Sequence, residues 1–279
     1  MNMIRFKVAF LGLVLSCALS HAQQLDWKTS PLDGSVTGCT VASADNAAEA
    51  IGRIGADGEY YSPSGKVYPN YSSTAKVAAI VLAAQPQMVD IKSVVAHSEQ
   101  EMPHLKGEGL LSNWFVGIVM DKVSELSGRK MDVAICNFGG IRKGMPQGDV
   151  LLDDINSMFP FRNTLVHIEI KGSELRKIFQ SMAAGRFQAV GGVKIEVEGG
   201  KLASVMVGDS PLDDERIYHM ATISFLLDGG DGLTLAHNAE AVHDHGVLIF
   251  DAVMEHVNAL TQAGESIRST DERHIIIKK

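Results

Sequence analysis

The chain has 279 residues, 46% of them apolar and 21% charged, enough for a sizeable core and ordinary for a globular protein. Its net charge of −8 comes with no basic stripe, which argues against a nucleic-acid polymer as partner. The three cysteines are too few for a disulfide framework.

The N-terminus reads as a targeting segment: Arg5 and Lys7 precede an apolar run over 8–15, and small residues follow. That run is too short to span a bilayer as a permanent helix. Two processing points fit, cleavage after Ala22 and a lipobox at 14–17 that leaves Cys17 acylated. Either way the protein is expected to be exported, to a periplasm or an outer surface. A lipid on Cys17 is the only expected contact with a membrane.

Residues 23–70 are rich in Gly, Ser, Pro and Tyr and read as a loop-rich lead segment, with a domain over 71–279. Ser72 or Ser73 is placed to cap a helix over 74–84, and a short strand follows at 91–97. The clearest helix covers 110–126, where Leu111, Trp114, Phe115, Ile118, Val119 and Val123 recur at helical spacing before Gly128. An apolar strand, 131–136, places Cys136 as a buried free thiol and runs into Asn137-Phe-Gly-Gly-Ile-Arg142.

Asp153 and Asp154 read as first-turn acids of a short helix. Residues 164–171 alternate, with Val166, Ile168 and Ile170 on one face, and Ser173 is placed to cap a helix over 174–184. A hairpin is predicted where 193–198 and 201–207 flank Gly199-Gly200. A strand at 217–224 leads to a glycine-rich turn containing Asp231, a helix spans 246–261, and a short strand covers 275–277. Strands, hairpin and crossover helices together imply an α/β domain with a mixed sheet.

Two stretches carry chemistry. In the first, a strand ends in adjacent glycines, which let backbone approach a ligand, and Arg142 offers a fork of donors suited to phosphate or carboxylate. Phe161 then stands two residues before Asn163, so ring, amide and guanidinium are close in sequence. In the second, Phe225 precedes Asp231, whose carboxylate in a glycine turn can accept from two ribose hydroxyls. Each also reads as an ordinary tight turn. His237, His243 and His245 have a ligand-like spacing, but 238–244 reads as loop, so these are expected to be solvated histidines and no metal site is assigned. No catalytic residue is assigned, since no GxSxG, HExxH, CxxC or P-loop pattern occurs.

Asn137-Phe-Gly-Gly-Ile-Arg142, then Pro160-Phe161-Arg-Asn163, Lys171-Gly172, and Phe225 with Gly229-Gly-Asp-Gly232 resemble, in order and spacing, the C-terminal domain of 5′-nucleotidases. Glu108 to Trp114 resembles that family's E-x-x-x-G-N-L helix start, with Ser112 in place of glycine. The resemblance implies a four-layer α/β/β/α fold that recognises substrate. It implies that Phe161 and Phe225 sandwich a nucleobase, Asp231 accepts from ribose, Asn137 and Asn163 touch the base, and Arg142 faces the ribose and phosphate. Lys106 stands beside the position of a family arginine, and Arg162 replaces a glycine.

The family's other half is a metallophosphatase domain with D-x-H and G-N-H-[DE] ligand motifs, which do not occur in this sequence. The expectation is therefore a chain with no cofactor of its own. It would bind a nucleotide or nucleoside and rely on a separate metallophosphatase chain carrying two divalent ions. The alternative is a non-catalytic nucleotide- or nucleoside-binding protein.

Overall fold

The computed structural model describes residues 51–84, 86 and 90–278, so both processing points and Cys39 lie outside the described residues. The described residues divide into two compact units, one up to residue 83 and one from residue 84. In the first, β1 (Arg53–Ile54), β2 (Tyr60–Tyr61) and β3 (Val67–Tyr68) form a small antiparallel sheet, more order than a loop-rich segment predicts. Two-residue strands carry no readable alternation. Nearly all of α1 (Ser73–Ala84) belongs there too, and Ser72 is the capping residue, its Oγ accepting from the Ala75 N–H at 3.1 Å.

The second unit holds a five-stranded mixed sheet. Its strands are β5 (Val133–Cys136), β7 (Thr164–Lys171), β8 (Ala189–Gly191), β12 (Ile217–Ile223) and β13 (Ala241–Leu248), in the order β13-β7-β12-β5-β8. A four-stranded sheet, in the order β11 (Ser210–Pro211), β10 (Lys201–Val207), β9 (Val193–Glu198), β14 (Ile275–Lys278), is built on the β9–β10 hairpin. Gly199 and Gly200 turn that hairpin with φ of 56° and 75°, as a primed two-residue turn requires. Strand β11 flanks β10, and β14 adds in parallel to β9. Strands β4 (Val94–Ser98) and β6 (Gly148–Leu151) form a separate antiparallel pair.

Helices cover these sheets. Helix α2 (Leu110–Ser127) packs on β5, β7, β8 and β12 and ends at Gly128 in the left-handed conformation that the sequence assigns there. The short α3 (Leu152–Met158) begins with Asp153 and Asp154, as read from sequence. The Asp154 carboxylate accepts from the Leu151 N–H at 2.8 Å and from Lys143 at 2.7 Å.

Helix α4 (Gly172–Ala184) starts one residue before the predicted Ser173 cap and has no side-chain cap. Backbone carbonyls of Arg216 and Asp214 accept from the N–H groups of Gly172 and Ser173 instead. Helix α5 (Ile249–Ala263) is shorter at its start than predicted, because 241–248 pair with β7.

One apolar cluster runs through the unit and includes Phe115 and Val119 of α2, Ile135 of β5, Ile168 of β7, Phe179 of α4, Ile195 of β9 and Val257 of α5. Strand β7 is buried on both faces along most of its length, with Val166, Ile168 and Ile170 on one and Leu165 and His167 on the other. Cys136 is a free, fully buried thiol whose pKa burial pushes up, as its apolar strand predicts.

The contact of α2 with α5 includes an edge-on pair, Trp114 and His256, with ring centroids 6.2 Å apart. Burial lowers the His256 pKa, against a weaker upward pull from Asp121. The unfolded chain therefore takes up this proton first, and the stability held by neutral His256 is lost as pH falls below the ordinary imidazole value of about 6.5. Thermal melts should show a smaller loss from about pH 7 to pH 5 in His256→Gln than in the parent. Identical pH profiles would mean that this ring does not couple folding to protons.

Candidate functional site

Strand pairing brings the two motif stretches together. Strand β12 runs antiparallel to β7 from Ile217↔Lys171 to Ile223↔Leu165, so the end of β12 and the start of β7 share one sheet edge. Strand β5 is parallel to β12 through Met220↔Val133 and Ala221↔Ala134, so it ends at that edge as well. Loops at 137–142, 159–163 and 224–232 thus emerge side by side beyond the carboxyl ends of two parallel strands, where α/β sheets commonly hold ligands.

Backbone and side-chain hydrogen bonds stitch these loops together. The Thr164 N–H donates to Ser224 Oγ at 3.0 Å, and the Arg142 N–H donates to the Met158 carbonyl at 2.9 Å. Asn137 Nδ2 donates to Asp231 Oδ2 at 2.9 Å. A carboxylate only accepts, which fixes the Asn137 amide with its nitrogen towards Asp231. Its Oδ1 is buried, has no hydrogen-bond partner among the described residues, and faces Gly140. Asn137 is 4% exposed, and its side-chain nitrogen is spent on the Asp231 carboxylate.

Asp231 is exposed and holds φ 49°, ψ 26°, a left-handed conformation that costs a non-glycine residue about 1–2 kcal/mol. Gly230 before it packs against Phe225, and a Cβ there would collide with the Phe225 carbonyl and lie 2.8 Å from its ring. That close approach holds the ring and the carboxylate in one turn.

The loop before β7 divides its two phenylalanines. Phe159 packs inside against Phe115, ring centroids 4.8 Å apart, while Phe161 stands 46% exposed. Phe225 is 44% exposed. Arg142 lies with its guanidinium 5.9 Å from the centre of the Phe161 ring and donates to the Gly139 carbonyl at 3.3 Å. The backbone of Asn163 accepts from the Ile249 N–H at 3.0 Å. Direct contacts thus join Asn137 to Asp231 and Arg142 to Phe161, while Phe225 packs on Gly230 and the Asn163 backbone is held by Ile249.

Lys106 lines a cleft of about 420 Å³ with Phe138, Arg186, Phe187 and Arg273. Beside it Glu108 accepts from the His274 ring at 2.8 Å and from the backbone N–H groups of His274 and Ile275. Burial raises the Glu108 pKa, but those hydrogen bonds outweigh it and hold the carboxyl below its ordinary value. Ser112, where the family has glycine, both accepts from and donates to the Gly109 backbone, closing the start of α2.

Two supporting residues escape a motif-based reading. The buried Gln188 accepts from the Phe138 N–H at 3.2 Å and fixes the 138–140 turn, and Ser224 joins two of the loops. Neither lies within a stretch whose residue pattern signals a ligand. The three downstream histidines separate: His237 lies in a turn, whereas His243 and His245 lie on β13 rather than in a loop. The glycine and charges of 238–246 mask that strand, which forms through pairing with β7.

The structure thus defines an α/β domain with a mixed sheet and a strand-end cluster of rings, amide, guanidinium and carboxylate. Residues 94–238, just over half of the chain, match the family model described as 5′-nucleotidase, C-terminal domain, and the chain belongs to that family. It is 33% identical over 106 residues to Protein UshA of Yersinia enterocolitica, covering 36% of this chain and 19% of that protein. It is 29% identical over 115 residues to a 5′-nucleotidase of Vibrio vulnificus, covering 39% of this chain and 21% of that one.

Among solved structures, the 5′-nucleotidase precursor of Thermus thermophilus superposes with a TM-score of 0.62 at 24% identity, covering 78% of this chain and 48% of that chain. The chain spans about a fifth of the length of these curated relatives.

A Cβ on Gly140 would lie 2.6 Å from Asn137 Oδ1. Gly140→Ala is expected to destabilise the chain by about 1–3 kcal/mol in denaturant unfolding. Shortening the amide in Asn137→Ala/Gly140→Ala should recover most of that loss. Additive losses would place the cost elsewhere in the turn.

Proposed function

We propose that this chain recognises the nucleoside part of nucleotides for an exported 5′-nucleotidase-type phosphohydrolase, with hydrolysis supplied by a metallophosphatase on a separate chain. The observation that carries this reading is the Asn137–Asp231 hydrogen bond set beside two half-exposed rings, Phe161 and Phe225. A base stacks on any aromatic face, worth about 1–3 kcal/mol per ring, and needs no particular hydrogen-bond pattern to do so. Asp231, with one oxygen held by Asn137, keeps acceptor capacity for the ribose hydroxyls. Arg142 offers its remaining donors to the ribose and phosphate side, and Asn163 offers an amide to the base.

The division of labour rests on family membership and on the missing D-x-H and G-N-H-[DE] sequences. Two divalent ions in the partner would activate water for attack on the phosphoester. Export, by cleavage after Ala22 or by acylation at Cys17, would bring both chains to extracytoplasmic nucleotides. Lys106, whose cleft also includes Phe138, offers a point charge to the anionic side of the ligand.

Calorimetric titration of the purified chain with adenosine and AMP tests the reading. Phe161→Ala and Phe225→Ala should each weaken binding by roughly 5- to 150-fold. Unchanged affinity in both would remove the stacking assignment. Asp231→Asn should weaken adenosine more than its dideoxy analogue, and equal losses would refute the ribose role. Phosphate release from AMP should be absent with the chain alone, even with added Mn²⁺. Turnover by this chain alone would refute the division of labour.

A further inference from the structure

A second constellation lies further along the same sheet. His167 on β7 is 3% exposed, and its Nε2 lies 3.0 Å from Nδ1 of His219 on β12. Glu169 is directly across from His219 in the β7–β12 register, and His243 on β13 is directly across from His167. Ligand atoms of His167, Glu169 and His219 all lie within 4.8 Å of one another. The exposed His243 ring lies 5.7 Å from that of His167 at 30°. His245, on β13 past His243, has a buried Nε2 with no hydrogen-bond partner among the described residues.

We propose that His167, His219 and Glu169 form a binding site for a divalent transition-metal ion, zinc foremost, with His243 or water completing its coordination. This departs from the sequence expectation of no metal in the chain. Two imidazoles and one carboxylate are a donor set for zinc, whereas magnesium and calcium require oxygen ligands. Tetrahedral bonds of about 2.0–2.1 Å to nitrogen place donor atoms roughly 3.4 Å apart. The His167–His219 gap of 3.0 Å needs only a small opening to reach this, with the proton between the rings moving to the donor ring's other nitrogen, so that both rings stay neutral as they ligate the ion. Burial, aided by His219, holds the His167 pKa down to about 4, so its ring is neutral and able to ligate at pH 7.

The positions follow from sheet geometry, not from spacing in the chain. Neighbouring strands lie about 4.8 Å apart, and residues two apart on one strand share a face. The pairs His167–His243 and Glu169–His219 therefore lie on one face of β13-β7-β12. An ion there would join β7 to β12, and through His243 would also hold β13, whose register to β7 breaks after Asp244. The site lies roughly 10–17 Å along β7 from Thr164, so it braces the strands that carry the strand-end loops.

The test uses the full, untagged chain after chelator treatment, titrated with Zn²⁺, Co²⁺ and Mg²⁺ by calorimetry, with visible spectra recorded for Co²⁺. The expected result is one Zn²⁺ per chain, an intense tetrahedral cobalt spectrum and no Mg²⁺ binding. His219→Ala and Glu169→Gln should each weaken Zn²⁺ by upwards of about 100-fold, more than is typical for outer-shell changes, whereas His237→Ala should leave it unchanged. His219 and Glu169 are only partly buried, so these variants avoid the folding risk of altering His167. No stoichiometric Zn²⁺ binding, or unchanged binding in His219→Ala, would overturn the site and leave the histidines as a buried hydrogen-bonded pair.

Discussion

The candidate site depends on one constraint, the placement of β12 between a parallel neighbour, β5, and an antiparallel one, β7. A strand pairing of this mixed kind sends the outgoing ends of β5 and β12 and the incoming end of β7 to the same edge. Phe161, Phe225, Asn137 and Asp231 are spread over about a third of the sequence, and no local rule relates them. The ladder relates them, and the buried Thr222, whose Oγ1 donates to the Ile135 carbonyl at 2.8 Å, adds a side-chain tie between β12 and β5.

Within that frame, small residues set the fine geometry. Gly140 allows the backbone to pass beside the Asn137 amide, and Gly230 allows the Asp231 turn to lie against Phe225. The left-handed dihedrals of Asp231 and the buried oxygen of Asn137, which has no partner among the described residues, are both unfavourable on their own. They persist because the surrounding hydrogen bonds over-determine the turn. Aromatic surface is handled similarly: Phe159 is packed into the core, which leaves Phe161 outside with the loop already fixed beneath it.

The legible parts of the sequence were those with local causes. The 3.6-residue recurrence over α2, the glycine after it, the Gly-Gly hairpin and the short acidic-start helix all appear where their residues place them. Four spaced motif segments led to the family, and three of them supply the strand-end cluster. What was hidden had non-local causes. Strand β13 contains two histidines, an aspartate and a glycine, a poor strand by composition, and exists because β7 offers a partner. The burial of His167 and its neighbourhood with His219 follow from a register that a single sequence does not print.

The hydrogen bonds that assemble the strand-end cluster are long-range in the chain. Asn137 and Asp231 are 94 residues apart, Thr164 and Ser224 are 60, and Thr222 and Ile135 are 87. Closing such loops comes late in folding, because their entropy is lost before the contacts return anything. A chain with only its helices and its hairpin formed therefore has no ligand surface at all. The candidate site is a property of the completed sheet, so any ligand held there would slow unfolding of the whole unit rather than stiffen one loop.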